Sequence, residues 1–182
     1  LRAPLRAAPA EVYSGAASPP PPPPRRFGDQ RLRGWLARAV AEQGFVKPSP
    51  VQRVAMPLVA HHADVVIHAA TGSGKTLAYL APLLSRIEPR QPLQLLVLVP
   101  TRELALQVAE LVQKLAVAGA TDCDGVRPPD VLLVAGGLAS PGESGVLQQH
   151  RELTQRVAAG GAQVIVATPK PLLKMSRLGY RG

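Results

Sequence analysis

The sequence predicts an α/β domain in three layers, a parallel sheet with helices on both faces. Two observations carry this. Four short runs, residues 65–67, 93–99, 131–134 and 164–166, are apolar almost throughout, as strands buried on both faces must be. The stretches between them place apolar residues at helical spacing, and alternation of strand with amphipathic helix gives a parallel sheet that binds ligands at the carboxyl ends of its strands.

Taken in order, residues 1–26 read as a low-complexity leader without regular structure, and residues 27–182 as the folded domain. The leader sets Glu11 against Arg2, Arg6, Arg25 and Arg26, and residues 19–24 are all proline. Proline fixes φ and donates no N–H, so that run is polyproline II or unstructured, a spacer in preference to a docking peptide. The Ala- and Arg-rich, acid-poor composition is also that of the tail of an organelle transit peptide. It gives the expectation of an intracellular protein of an organelle (chloroplast or mitochondrion) or the nucleus.

Asp29 is an N-cap candidate for a helix carrying Leu32, Trp35, Leu36 and Val40, stopped by Gly44. Ser49 and Pro50 form an N-cap and first-turn pair for a helix burying Val51, Val54, Ala55 and Leu58. After the strand at 65–67, a helix follows Lys75 and carries Leu80, Leu83 and Leu84, with Pro82 expected to bend it or tighten its end. The strand at 93–99 leads to a long helix marked by Leu104, Val108, Leu111, Val112 and Leu115. A Gln- and Arg-rich helix joins the last two strands.

At 182 residues the chain suffices for one domain, and with 46% apolar but only 3% aromatic residues its core must be aliphatic. No run of about eighteen apolar residues is present, so no membrane span is expected. One cysteine, Cys123, excludes an internal disulfide framework and supplies too few thiols for a zinc knuckle. The formal charge of +9 suits a polyanionic partner, yet the richness in Arg, Ala, Pro and Gly fits a plain compositional bias almost as well.

The chemistry begins at Ala69-Ala70-Thr71-Gly72-Ser73-Gly74-Lys75-Thr76, between an expected strand and an expected helix. Gly72 and Gly74 let the backbone curl so that successive N–H groups face a phosphate, and the helix N-terminus adds its positive end. Lys75 reaches the outer phosphates and Thr76 offers a hydroxyl to magnesium, which makes these two the candidate catalytic residues. The strict P-loop pattern has glycine where this chain has Ala69; the remainder matches.

Upstream, Gly44-Phe45-Val46-Lys47-Pro48-Ser49-Pro50-Val51-Gln52 resembles the glutamine motif of DEAD-box ATP-dependent RNA helicases, usually Gly-Phe-x-x-Pro-Thr-Pro-Ile-Gln. Phe27 stands seventeen residues before Gly44, where that family has an isolated aromatic. A glutamine amide donates and accepts, so Gln52 can grip an adenine edge while Phe27 stacks on its face. The alternative for Phe27 is a core anchor. Pro100-Thr101-Arg102-Glu103-Leu104-Ala105 matches a further family motif without change. Gly136-Gly137 resembles the family's glycine doublet, and Ala167-Thr168-Pro169 the start of its Thr-Pro-Gly-Arg motif.

The resemblance, over residues 27 to about 178, implies a RecA-like P-loop NTPase domain that binds ATP and magnesium. It implies that Thr101, Arg102, Gly136, Gly137, Thr168, Pro169 and Lys170 hold an RNA backbone without reading its sequence. It also implies a second RecA-like domain and ribonucleoprotein surroundings. Lys170-Pro171 departs from the family's Gly-Arg, replacing a forked cation by a point charge and an N–H by none. No Asp-Glu pair occurs, so the family's Asp-Glu-Ala-Asp box is expected beyond Gly182. The chain reads as an N-terminal RecA-like piece of a longer protein, incomplete at its C-terminal end. Residues 122–130 and 139–145 read as surface insertions, and His61, His62, His68 and His150 lack the spacing of a metal site. Two other readings are a related P-loop DNA helicase and a non-catalytic helicase-like scaffold. The glutamine motif weighs against the first; Lys170-Pro171 and the missing box motivate the second.

Overall fold

The structure is a computed structural model that describes residues 11–14, 27, 32–61, 64–88, 91–120, 129–136 and 145–179. The chain divides into two compact units, Leu1–Arg86 and Ile87–Gly182.

In the first unit a strand β1 (Glu11–Ser14) precedes helices α1 (Gly34–Glu42) and α2 (Pro50–Ala60), strand β2 (Val65–His68) and helix α3 (Lys75–Leu84). Trp35, Leu36, Ala39 and Val40 form the buried stripe of α1. Its end is a Schellman turn: Phe45 N–H donates to the Val40 carbonyl, Gly44 N–H to that of Ala41, and Gly44 sits at φ 82°. Helix α1 begins later than expected, at Gly34, and Asp29 lies outside the described residues. The Ser85 hydroxyl accepts from Arg33 N–H at 2.7 Å, tying the start of α1 to the end of α3. Helix α2 buries Val51, Ala55, Met56 and Leu58, whereas Val54, expected inside, is exposed. Helix α3 runs two residues past Pro82 and packs against α2.

The second unit holds β3 (Leu95–Leu98), α4 (Arg102–Ala120), β4 (Val131–Val134), α5 (Gly145–Ala158), β5 (Val164–Ala167) and α6 (Pro169–Gly179). Its strands form a parallel sheet in the order β3-β5-β4. The central strand β5 is buried at all four positions, so both of its faces are covered. On one side Leu132, Val134, Ile165 and Ala167 pack with Met175, Leu153, Val157 and Leu172 of α5 and α6. Helix α4 inserts Ala105, Val108, Ala109, Val112 and Leu115 into the core. Strand β3 lies at an edge, and its Leu96 and Leu98 stay about half exposed.

The architecture is the expected α/β arrangement with a parallel sheet, with one difference. The run at 65–67 pairs antiparallel with β1, Glu11 opposite His68 and Ser14 opposite Val65. Four residues inside the stretch read as leader are therefore a strand. Val12 and Tyr13 supply the β-branched and aromatic character a strand uses, a local signal that the surrounding prolines and alanines outweigh in a composition argument.

Candidate nucleotide and nucleic-acid sites

The loop between β2 and α3 has the backbone that its glycines foretell. Gly72 lies at φ 79° and Gly74, the N-cap of α3, at φ 92°. The Lys75 ammonium donates to the carbonyls of Ala69 at 2.5 Å and Ala70 at 2.8 Å, so the loop closes on its own lysine. Ser73 N–H donates to the Ala70 carbonyl at 3.3 Å, while the Ser73 hydroxyl is buried with no hydrogen-bond partner. Thr71 is exposed, and Thr76 is half-buried in the first turn of α3.

The glutamine motif grips this loop from behind. Ser49 and Gln52 form a reciprocal capping box at the start of α2. Ser49 N–H donates to Gln52 Oε1 at 2.8 Å, and the Ser49 hydroxyl accepts from Gln52 N–H at 3.4 Å. The same hydroxyl donates to the Ser73 carbonyl at 2.7 Å, and Gln52 Nε2 donates to the Gly74 carbonyl at 3.1 Å. Two side chains of α2 and its cap thus fix two consecutive carbonyls of the phosphate loop. The Ser-x-x-Gln spacing is the signal of such a box, but the grip on the loop carbonyls depends on residues more than twenty positions along the chain. Gln52 and Phe27 are each only 4% exposed. For Phe27 this is the environment of a core anchor. Gln52 keeps one N–H and one acceptor lone pair beyond its protein contacts.

In the second unit the register aligns three strand ends, Leu98 and Val134 each opposite Ala167. Hydrogen bonds carry the alignment one residue further, from Val99 N–H to Ala167 and from Thr168 N–H to Val134. The loops that leave these strands are the three the resemblance singles out. They converge on a cleft of about 600 Å³ lined by Pro100, Arg102, Gly136, Thr168, Pro169, Lys170, Pro171 and Lys174. Thr101 does not line it; its hydroxyl accepts from Leu104 N–H at 3.3 Å and caps α4. Gly137 lies outside the described residues. The Pro171 ring sits 3.9 Å from where a β-carbon on Gly136 would be. Behind the rim, the buried Gln149 donates from Nε2 to the Ala135 carbonyl at 2.8 Å, anchoring the chain just before Gly136. Sequence reading missed Gln149 and Lys174. The signal for Lys174 was its place one helical turn after Lys170.

The lining contains three cations and no carboxylate, so the cleft attracts anions. Among the described residues no helix is long and apolar enough to cross a membrane.

Compared with protein families, residues 49–180 match the DEAD/DEAH box helicase model. The chain belongs to the DEAD/DEAH box helicase family. It is similar to the ATP-dependent RNA helicase DeaD of Haemophilus influenzae, 38% identical in an alignment of 158 residues that covers 84% of this chain and 22% of that protein. It is similar also to the pre-mRNA-splicing ATP-dependent RNA helicase PRP28 of Meyerozyma guilliermondii, 35% identical in an alignment of 171 residues that covers 81% of this chain and 26% of that one. This DEAD/DEAH box chain therefore spans about a quarter, or less, of the length of these relatives. Among solved structures, the yeast DEAD-box splicing factor Prp28 shares the fold at TM-score 0.70 and 23% identity, over 92% of this chain and 38% of that one. A DEAD box protein from Methanococcus jannaschii does so at TM-score 0.67 and 25% identity, over 88% and 39%. The fold of this DEAD/DEAH box chain is the RecA-like α/β arrangement expected from its motifs.

Proposed function

We propose that this chain is the ATP-binding half of an ATP-dependent RNA helicase, acting with a second RecA-like domain to remodel RNA. The observation that carries the reading is the loop from Ala69 to Thr76. It joins two left-handed glycines, a buried hydroxyl with no partner on Ser73, and an ammonium group whose present acceptors are the loop's own carbonyls. That donor set fits a polyphosphate. Lys75 would exchange the carbonyls of Ala69 and Ala70 for phosphate oxygens, and the Thr76 hydroxyl would take magnesium. ATP bound between the two domains would favour their closure on RNA, and its hydrolysis to ADP and phosphate by water would then release the RNA.

The cleft of the second unit fits the other half of the reading. Arg102, Lys170 and Thr168 offer charge and a hydroxyl beside Gly136, contacts suited to phosphates and blind to base identity. Substrate grip without sequence readout is what an enzyme working on many RNA duplexes needs. The test is strand separation by the intact protein on a short RNA duplex with a single-stranded tail. Separation should require ATP and magnesium and vanish in Lys75→Ala. Separation that proceeds undiminished in that variant contradicts the proposal.

A further inference from the structure

We propose that Lys174 is an additional phosphodiester-binding residue of the cleft and, with Lys170, replaces the cation missing at position 171; this rests on the RNA reading above. The first turn of α6 is poor in free amide donors. A helix N-terminus ordinarily offers free amide donors to an anion. Here Pro169 and Pro171 carry none, so of the first three residues only Lys170 has an N–H. The fourth, Leu172, donates to the Thr168 carbonyl at 3.4 Å. The backbone at this rim is thus largely stripped of the donors that would hold a phosphate, and the attraction must come from side chains.

Lys174 supplies it. It follows Lys170 by four residues, on the same face of α6 and about 6 Å further along the axis. Both lysines are exposed and both line the cleft that Arg102 enters from the start of α4. Among the described residues none of the three cations is ion-paired, whereas Arg156 in the same unit is held by Asp130 and Glu152. A surface lysine serving solubility alone has no need to converge with two others on a concavity free of carboxylates. Pro100, Pro169 and Pro171 also line the cleft, apolar rings against which a ribose can rest while the cations meet phosphates. Two flexible point charges replace one forked cation, so the grip is less directional.

The test is fluorescence anisotropy of the intact protein with a labelled single-stranded RNA, across a series of salt concentrations, for wild type, Lys174→Ala, Lys174→Arg and Arg102→Ala. Removing one phosphate-binding cation should lower the slope of log affinity against log salt by about 0.7. Lys174→Ala should show that decrease, weaken binding alike on every RNA sequence and leave thermal stability unchanged, and Lys174→Arg should restore the slope. If Arg102→Ala lowers the slope while Lys174→Ala keeps it in full, the role of Lys174 is overturned and the RNA reading stands. If neither variant changes the slope, both fall.

Discussion

Gln52 Nε2 donates to the carbonyl of Gly74 across 3.1 Å, while the other end of the same amide accepts from Ser49 N–H at 2.8 Å. One buried side chain therefore caps α2 and fixes the residue that opens α3. Gln52→Ala removes both bonds and leaves only the Ser49 half of the capping box. It should destabilise the chain by about 1–3 kcal/mol, as expected for a weakened cap with buried groups left unpaired. Gln52→Glu keeps the acceptor for Ser49 but sets a carboxylate against the Gly74 carbonyl, so it should recover little. Thermal unfolding of the two variants checks this.

Gly74 faces that amide so closely that a β-carbon there would lie 2.5 Å from Gln52 Nε2, at a φ of 92° that side chains avoid. Gly72 has a similar φ but open space around it. Gly74→Ala should therefore cost clearly more than the roughly 1–2 kcal/mol of left-handed strain expected for Gly72→Ala. Gly34, at the start of α1, has neither problem, and Gly34→Ala should stabilise by about 0.4–1 kcal/mol. Chemical denaturation of the three variants gives the order.

Burial raises the pKa of the Tyr79 hydroxyl above the ordinary tyrosine value. A raised folded-state pKa means that the stabilisation is fully present below the unfolded value near about 10 and is lost as pH rises through the folded one. Between about pH 9 and 11 the wild-type melting temperature should fall more than that of Tyr79→Phe, which has no proton to lose. Equal falls in the two proteins would count against it.

What the sequence made legible was local. The phosphate loop, the end of α1 at Gly44 and the apolar strands each declare themselves within about ten residues, through glycine placement or a period of burial. The central strand β5 reads plainly because it is covered on both faces, and Leu96 and Leu98 read less well because an edge strand need not bury both sides. What stayed hidden depends on distant partners. The strand Glu11–Ser14 exists through pairing with β2, far along the chain. Gln149 takes its meaning from the Ala135 carbonyl, which no helical period announces. The glutamine motif was legible as a motif, and the capping box inside it showed its structural task only once Ser73 and Gly74 were in place.

The most direct test is the affinity of the chain for adenine nucleotide with and without the Lys75 ammonium. Titration of a fluorescent ADP into wild type and Lys75→Ala, each first shown by its melting curve to be folded, should find binding weakened at least tenfold, about 1.4 kcal/mol, in the variant. Equal affinity in the two proteins would contradict the account, because the loop would then hold its ligand, if any, without the one side chain its geometry is built around.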